Sequence, residues 1–158
     1  EGTSLHAAVG RPGAGLDGFR SSARQAARVR EVLGTRAGAA GGRGTEEPLW
    51  VHYADVAPVA LMAGDPAAVR DFVTATLGEL AAPGARGAVL RETLRVFLAH
   101  RRSHAAAATA LNLHRNSVQY RVRQASALLP GGAHALDDDF PVRAALLAAQ
   151  WLGDAVLA

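Results

Sequence analysis

Residues 103–123 read SHAAAATALNLHRNSVQYRVR, and this string limits the fold more tightly than any other part of the chain. It combines a short run of small residues, the triplet Leu111-Asn112-Leu113, and a second segment whose outer face is polar and basic. Ala107 and Ala108 sit where two helices crossing at a steep angle leave room for nothing larger than a methyl group. Leu111, Leu113, Val118 and Val122 supply the apolar contacts that lock such a pair. Asn112 falls in the turn, where the backbone often enters the left-handed region that Asn tolerates better than most residues. The string predicts a helix-turn-helix, with Ser103 able to cap its first helix.

The second helix, at about 115–129, sorts cleanly at a helical spacing of roughly 100° per residue. Val118, Val122, Ala125 and Leu129 form one narrow stripe, the expected core side. Asn116, Tyr120 and Arg123 project from the opposite side with Gln119 beside them, and Arg115 and Arg121 lie on the shoulders. A helix in this position enters the major groove of double-stranded DNA. Arginine reads guanine through two hydrogen bonds, and Asn or Gln reads adenine the same way. Arg123, Asn116 and Gln119 are therefore the candidates for base contacts, while Arg115, Arg121, Ser103 and Ser117 suit phosphates. Tyr120 has two readings: its hydroxyl donates to a phosphate, or its ring packs on the neighbouring helix. His104 and His114 bracket the first helix and turn, where a histidine can cap a helix or touch phosphate; His114 joins the DNA-contact set.

Charge supports this placement. All 17 basic residues are arginine, but the net charge of +3 hides an uneven distribution. Residues 1–85 hold eight Arg against nine acids, whereas residues 86–130 hold eight Arg against Glu92 alone. A basic block that coincides with a helix-turn-helix is the footprint of a phosphate-contacting surface. The chain has no cysteine, which excludes disulfide frameworks and thiolate metal sites. Its apolar runs are shorter than the ~20 residues of a membrane span, and no signal-peptide pattern opens it. Starting at Glu1 without Met, it reads as a fragment of a longer protein.

Around the motif, residues 4–9 alternate weakly and predict a short strand. The loop GRPGAG, residues 10–15, lacks the spacing of a nucleotide-binding loop and reads as a strand-to-helix connection. A helix follows over about 20–33, stopped by Gly34. Residues 36–48 are rich in Gly and Ala and predict a mobile loop. Residues 49–53 predict a second strand, with Asp55 capping a short helix through Met62. Asp65-Pro66 is a helix start whose apolar residues Val69, Phe72, Val73, Leu77 and Leu80 keep helical spacing. Residues 81–87, AAPGARG, suggest a domain boundary. The helix over 89–100 carries Leu90, Leu94, Phe97 and Leu98 on one face, with Arg91, Glu92 and Arg95 on the other. After the break at Pro130-Gly131-Gly132, Asp137, Asp138 and Asp139 precede a final helix from about Pro141 that buries Val142, Leu146, Leu147, Trp151 and Leu152. Acids there favour the helix dipole, and consecutive carboxylates do not converge on one metal ion. Trp50 and Trp151 fall in apolar surroundings and suit a core or an interface.

Residues 90–129, LRETLRVFLAHRRSHAAAATALNLHRNSVQYRVRQASALL, and 137–153, DDDFPVRAALLAAQWLG, resemble the C-terminal part of the PucR/CdaR family of bacterial transcriptional regulators. Leu90, Glu92, Thr93, Leu94, Leu98, Ser103, Ala107, Ala108, Leu111, His114, Asn116, Val118, Tyr120, Arg121 and Val122 fall on that family's pattern. Phe97 stands where Tyr is usual, and Ser117 where Thr is usual. Residues 9–29 look like the tail of the degenerate GGDEF-like domain that precedes this module, and the Gly-rich 36–48 stretch departs from it. Gly41-Gly42 lacks a following Asp-Glu-Phe, so no cyclase signature is present.

The expected architecture is mainly α: a helix-turn-helix DNA-binding domain over 86–158, preceded by a partial α+β, GGDEF-like segment over 1–80. The expected function is a DNA-binding regulator of the PucR/CdaR type, with no enzymatic activity, no catalytic residues, no cofactor and no metal. Its expected partners are double-stranded DNA and a second copy of the chain, and its expected location is the cytoplasm. The resemblance implies a small-molecule effector sensed upstream. The competing classes are a protein-interaction module and a degenerate cyclase-like domain without DNA binding.

Overall fold

The computed structural model describes residues 6–39 and 49–158. Among them the chain is mainly α-helical, with seven α-helices and one two-stranded sheet, as expected. It divides into two compact units, Glu1–Pro66 with Trp151–Ala155, and Ala67–Gln150 with Val156–Ala158.

In the first unit, strand β1 (His6–Val9) leads into helix α1 (Gly15–Ala39), and strand β2 (Leu49–His52) leads into helix α2 (Tyr53–Met62). The strands pair in parallel, Ala7 opposite Trp50 and Val9 opposite His52, so α1 is a parallel crossover. Residues 4–5 of the expected first strand, and residues 40–48 of the expected loop, lie outside the described residues. The GRPGAG stretch is indeed the strand-to-helix connection. A Cβ on Gly10 would sit 2.1 Å from the carbonyl oxygen of Ser22, so only glycine lets the loop lie against α1. The Arg11 amide donates to Gln25 Oε1 at 2.8 Å and fixes that approach.

Three expectations here need correction. Helix α1 does not stop at Gly34; it runs on to Ala39, with Thr35 Oγ1 donating to the Glu31 carbonyl one turn back. An isolated glycine lowers helix stability by only ~1 kcal/mol, too little to end a helix that packs well. Asp55 does not cap α2. The helix begins at Tyr53 with His52 as its N-cap, and Asp55 sits inside the first turn, where its charge favours the dipole. Trp50 is 70% exposed, because strand alternation turns Val51 inward and Trp50 outward. Val51 packs with Val29 and Val56, and Ala8, Leu33, Tyr53 and Trp151 close this small core.

The second unit is helical. Helix α3 (Pro66–Leu77) starts at the expected Asp65-Pro66 and buries Val69, Val73 and Leu77, while Phe72 is half-buried. A 3-10 turn, Gly78–Ala81, follows, then α4 (Ala85–Ala99), α5 (His104–Ala110) and α6 (Arg115–Ala127). A further 3-10 turn (Gly132–Leu136) leads to α7 (Phe140–Leu152). Gly78 has φ +55° and stands so close to Pro130 that a Cβ would meet its Cδ at 2.9 Å. The helical path ends after α6 where the sequence broke its pattern: Gly131 and Gly132 have φ of +80° and +62°.

The expected boundary at 81–87 falls inside this unit, not between units. Arg91 bridges that stretch. Sequence spacing put it on the outer face of α4, yet it is 9% exposed. Its Nη1 donates to the carbonyls of Leu80 and Ala82 at 2.9 and 2.8 Å, tying α4 to the preceding 3-10 turn. Val96 and Thr93 are buried too, so α4 is enclosed on most of its circumference. Thr93 satisfies its hydroxyl by donating to the Val89 carbonyl at 2.7 Å.

Candidate nucleic-acid interface

Helices α5 and α6 fall where the alanine pair and the Val118 stripe placed them. Ala107 is fully buried and Ala108 is 5% exposed, which lets the two helices approach closely. Val118, Val122, Ala125 and Leu129 are all buried. Ser126 joins this stripe, its hydroxyl donating to the Val122 carbonyl at 2.9 Å. Between the helices, Asn112 has φ +51°, the left-handed conformation expected of the turn. The Leu113 amide donates to the Ala108 carbonyl at 2.9 Å and closes the end of α5.

Both helix starts are capped. Ser103 Oγ accepts from the Ala106 amide at 3.2 Å. His114 Nδ1 accepts from the Asn116 amide at 3.3 Å, so its ring serves as the N-cap of α6. His104 packs on Phe97 with ring centroids 4.6 Å apart and the planes tilted by 40°, joining the start of α5 to α4. The connection before α5 carries backbone strain that no glycine signals: Arg101 and Arg102 have φ of +54° and +61°. The Arg102 guanidinium donates to the Leu136 carbonyl and stands 3.2 Å from Asp139 Oδ2, tying this corner to the start of α7.

The acids before α7 go to separate partners. Asp137 faces His134 at 3.4 Å, Asp138 Oδ1 accepts from the Phe140 amide at 3.4 Å, and Asp139 takes Arg102.

On α6, Arg115, Asn116, Ser117, Gln119, Tyr120 and Arg123 are exposed, and Arg121 is half-exposed. Asn116, Tyr120 and Arg123 lie opposite the buried stripe with Arg115 and Arg121 flanking it, and Ser103 is partly exposed at the start of α5. Tyr120 keeps 53% of its surface exposed. Its hydroxyl oxygen accepts from Gln124 Nε2 at 3.0 Å, and the Arg123 guanidinium carbon lies 5.7 Å from its ring centroid. Gln124 is the residue that the sequence left out of this face.

The positive charge is thinner than the sequence count. Of the eight arginines in 86–130, Arg91 is buried and Arg102 is engaged by Asp139. Arg95 is held by Glu92 through two 2.7 Å contacts, and that hydrogen bond raises its pKa still further above the ordinary arginine value. Arg86, Arg101, Arg115, Arg121 and Arg123 have no carboxylate partner among the described residues.

A small-residue helix, a left-handed turn and a second helix with an apolar inner and a basic outer face together make a helix-turn-helix domain. Residues 90–148 match the family model of the PucR C-terminal helix-turn-helix domain. No curated protein and no solved structure matches the chain. Among the described residues, no helix is long and apolar enough to cross a membrane.

Proposed function

We propose that the chain is a sequence-specific DNA-binding transcriptional regulator of the PucR/CdaR type, which lays α6 in the major groove of its operator. The observation that carries this reading is the exposed face of α6. Arg115, Asn116, Gln119, Tyr120 and Arg123 stand together on a helix whose opposite side is fully committed to the core. Arg123, Asn116 and Gln119 reach base edges, and Arg115, Arg121, Ser103 and Ser117 hold phosphates. His114 acts through α6: as N-cap it sets the direction in which the helix enters the groove.

A single unit of this kind spans a few base pairs, so the regulator works as a homodimer on two half-sites about 34 Å apart. In this reading the first unit is the end of a GGDEF-like domain without catalytic chemistry, in the cytoplasm, and a small-molecule effector is sensed by a domain upstream.

The test is selection of the chain on a random-sequence duplex library at two salt concentrations. Recovery of an inverted repeat, with affinity falling steeply as salt rises, is the expected result. No enrichment at low salt would overturn the reading and favour a protein-binding role for the same face.

A further inference from the structure

On the outer face of α6, three side chains form one ordered group. Gln124 Nε2 donates to the Tyr120 hydroxyl oxygen at 3.0 Å, and the Arg123 guanidinium lies over the Tyr120 ring at 5.7 Å. The hydrogen bond restrains where the phenol oxygen lies, and the face of the phenol limits where the guanidinium can go. A guanidinium attracted to the ring face spends none of its N–H donors on a hydrogen bond there, so they remain for the O6 and N7 of guanine. Because the phenol oxygen accepts from Gln124, its own proton is also left to donate outward.

Resting on the DNA-binding reading above, we propose that Tyr120 is a positioning residue that holds Arg123 for guanine recognition, with Gln124 as its brace. A free arginine loses many rotamers when it binds, whereas one already leaning on a ring loses fewer. Residue 120 therefore sets the strength of base discrimination at the position Arg123 reads, without itself touching that base.

A double-mutant cycle on the full chain tests this. The probes are the duplex enriched from a random library, the same duplex with the critical guanine pair replaced, and a scrambled duplex. Arg123→Ala should reduce discrimination between the first two by about 5- to 150-fold. Tyr120→Leu should reduce it by about three- to tenfold, and by nothing further once residue 123 is already alanine. Tyr120→Phe keeps the ring and loses the brace, so it should fall between wild type and Tyr120→Leu. Gln124→Met should match Tyr120→Phe. All these positions are exposed or half-exposed, so melting temperatures should stay at the wild-type value.

Additive losses in the cycle, or an equal loss by Tyr120→Leu on both duplexes, would overturn the positioning role while leaving DNA binding intact. A wild-type protein that does not distinguish the enriched from the scrambled duplex would overturn the DNA-binding reading, and this role with it.

Discussion

At the scale of single residues, the proposed function separates side chains of α6 that specify from those that attach. Arg123→Ala should lower specific affinity by ~1–3 kcal/mol and relax the preference at one base position. Arg115→Ala, on the shoulder, should weaken binding evenly across sequences and lower the salt slope by about 1. Binding isotherms on enriched and scrambled duplexes distinguish the two; an even loss for Arg123→Ala would demote it to a phosphate contact. Asn112 offers a test in the folded chain alone. With φ at +51°, replacement by Ala should destabilise the domain by ~1–2 kcal/mol, while Gly should be tolerated. Equal melting temperatures for the two variants would show that the turn adjusts its backbone instead.

At the scale of elements, the question is what holds the helix-turn-helix to its surroundings. Arg91 joins α4 to the carbonyls of Leu80 and Ala82. Removing it leaves the buried Leu80 carbonyl and the part-buried Ala82 carbonyl without this donor, so Arg91→Ala should cost about 1–3 kcal/mol in denaturant unfolding. A loss below ~0.5 kcal/mol would mean that water takes over both bonds. Val118 is fully buried in the α6 stripe. Val118→Asp should unfold the domain by placing an unpaired charge there, read as loss of the cooperative melting transition. Helix ends are lighter contributions: Ser103 caps α5 through a single bond, of a kind that typically contributes ~1 kcal/mol.

For the molecule as a whole, the proposed function makes charge the quantity that DNA would sense. Eight arginines in 86–130 would give a salt slope of about −7 per chain if each neutralised a phosphate. Arg91 is buried and Arg95 and Arg102 are paired with carboxylates, so five remain, which lowers the expected slope to about −4 to −5 per chain. Affinity measured across a salt series checks this. A slope near −6 would show that the Glu92 and Asp139 pairs open when DNA arrives, Arg91 staying on its carbonyls.

Much of the motif was legible because helical period and residue size act locally. The Val118, Val122, Ala125, Leu129 stripe, the alanine pair, the Ser103 cap and the left-handed Asn112 all follow from neighbours within a turn or two. What the sequence misplaced depends on partners distant along the chain or on alternation across a strand. Arg91 looked solvated because its acceptors, nine and eleven residues back, come to it only through the fold. Trp50 looked buried because the string around it is apolar, but only one face of β2 has a core to enter. Arg102 reaches Leu136 and Asp139 more than thirty residues ahead, a closure that no local pattern encodes. The sequence alone thus determined a helix-turn-helix with a basic recognition helix, since spacing at 100° per residue fixes which side chains share a face. Only the tertiary structure decided which arginines remain available, because a guanidinium is claimed by whichever carbonyl or carboxylate the packed chain brings within hydrogen-bonding distance.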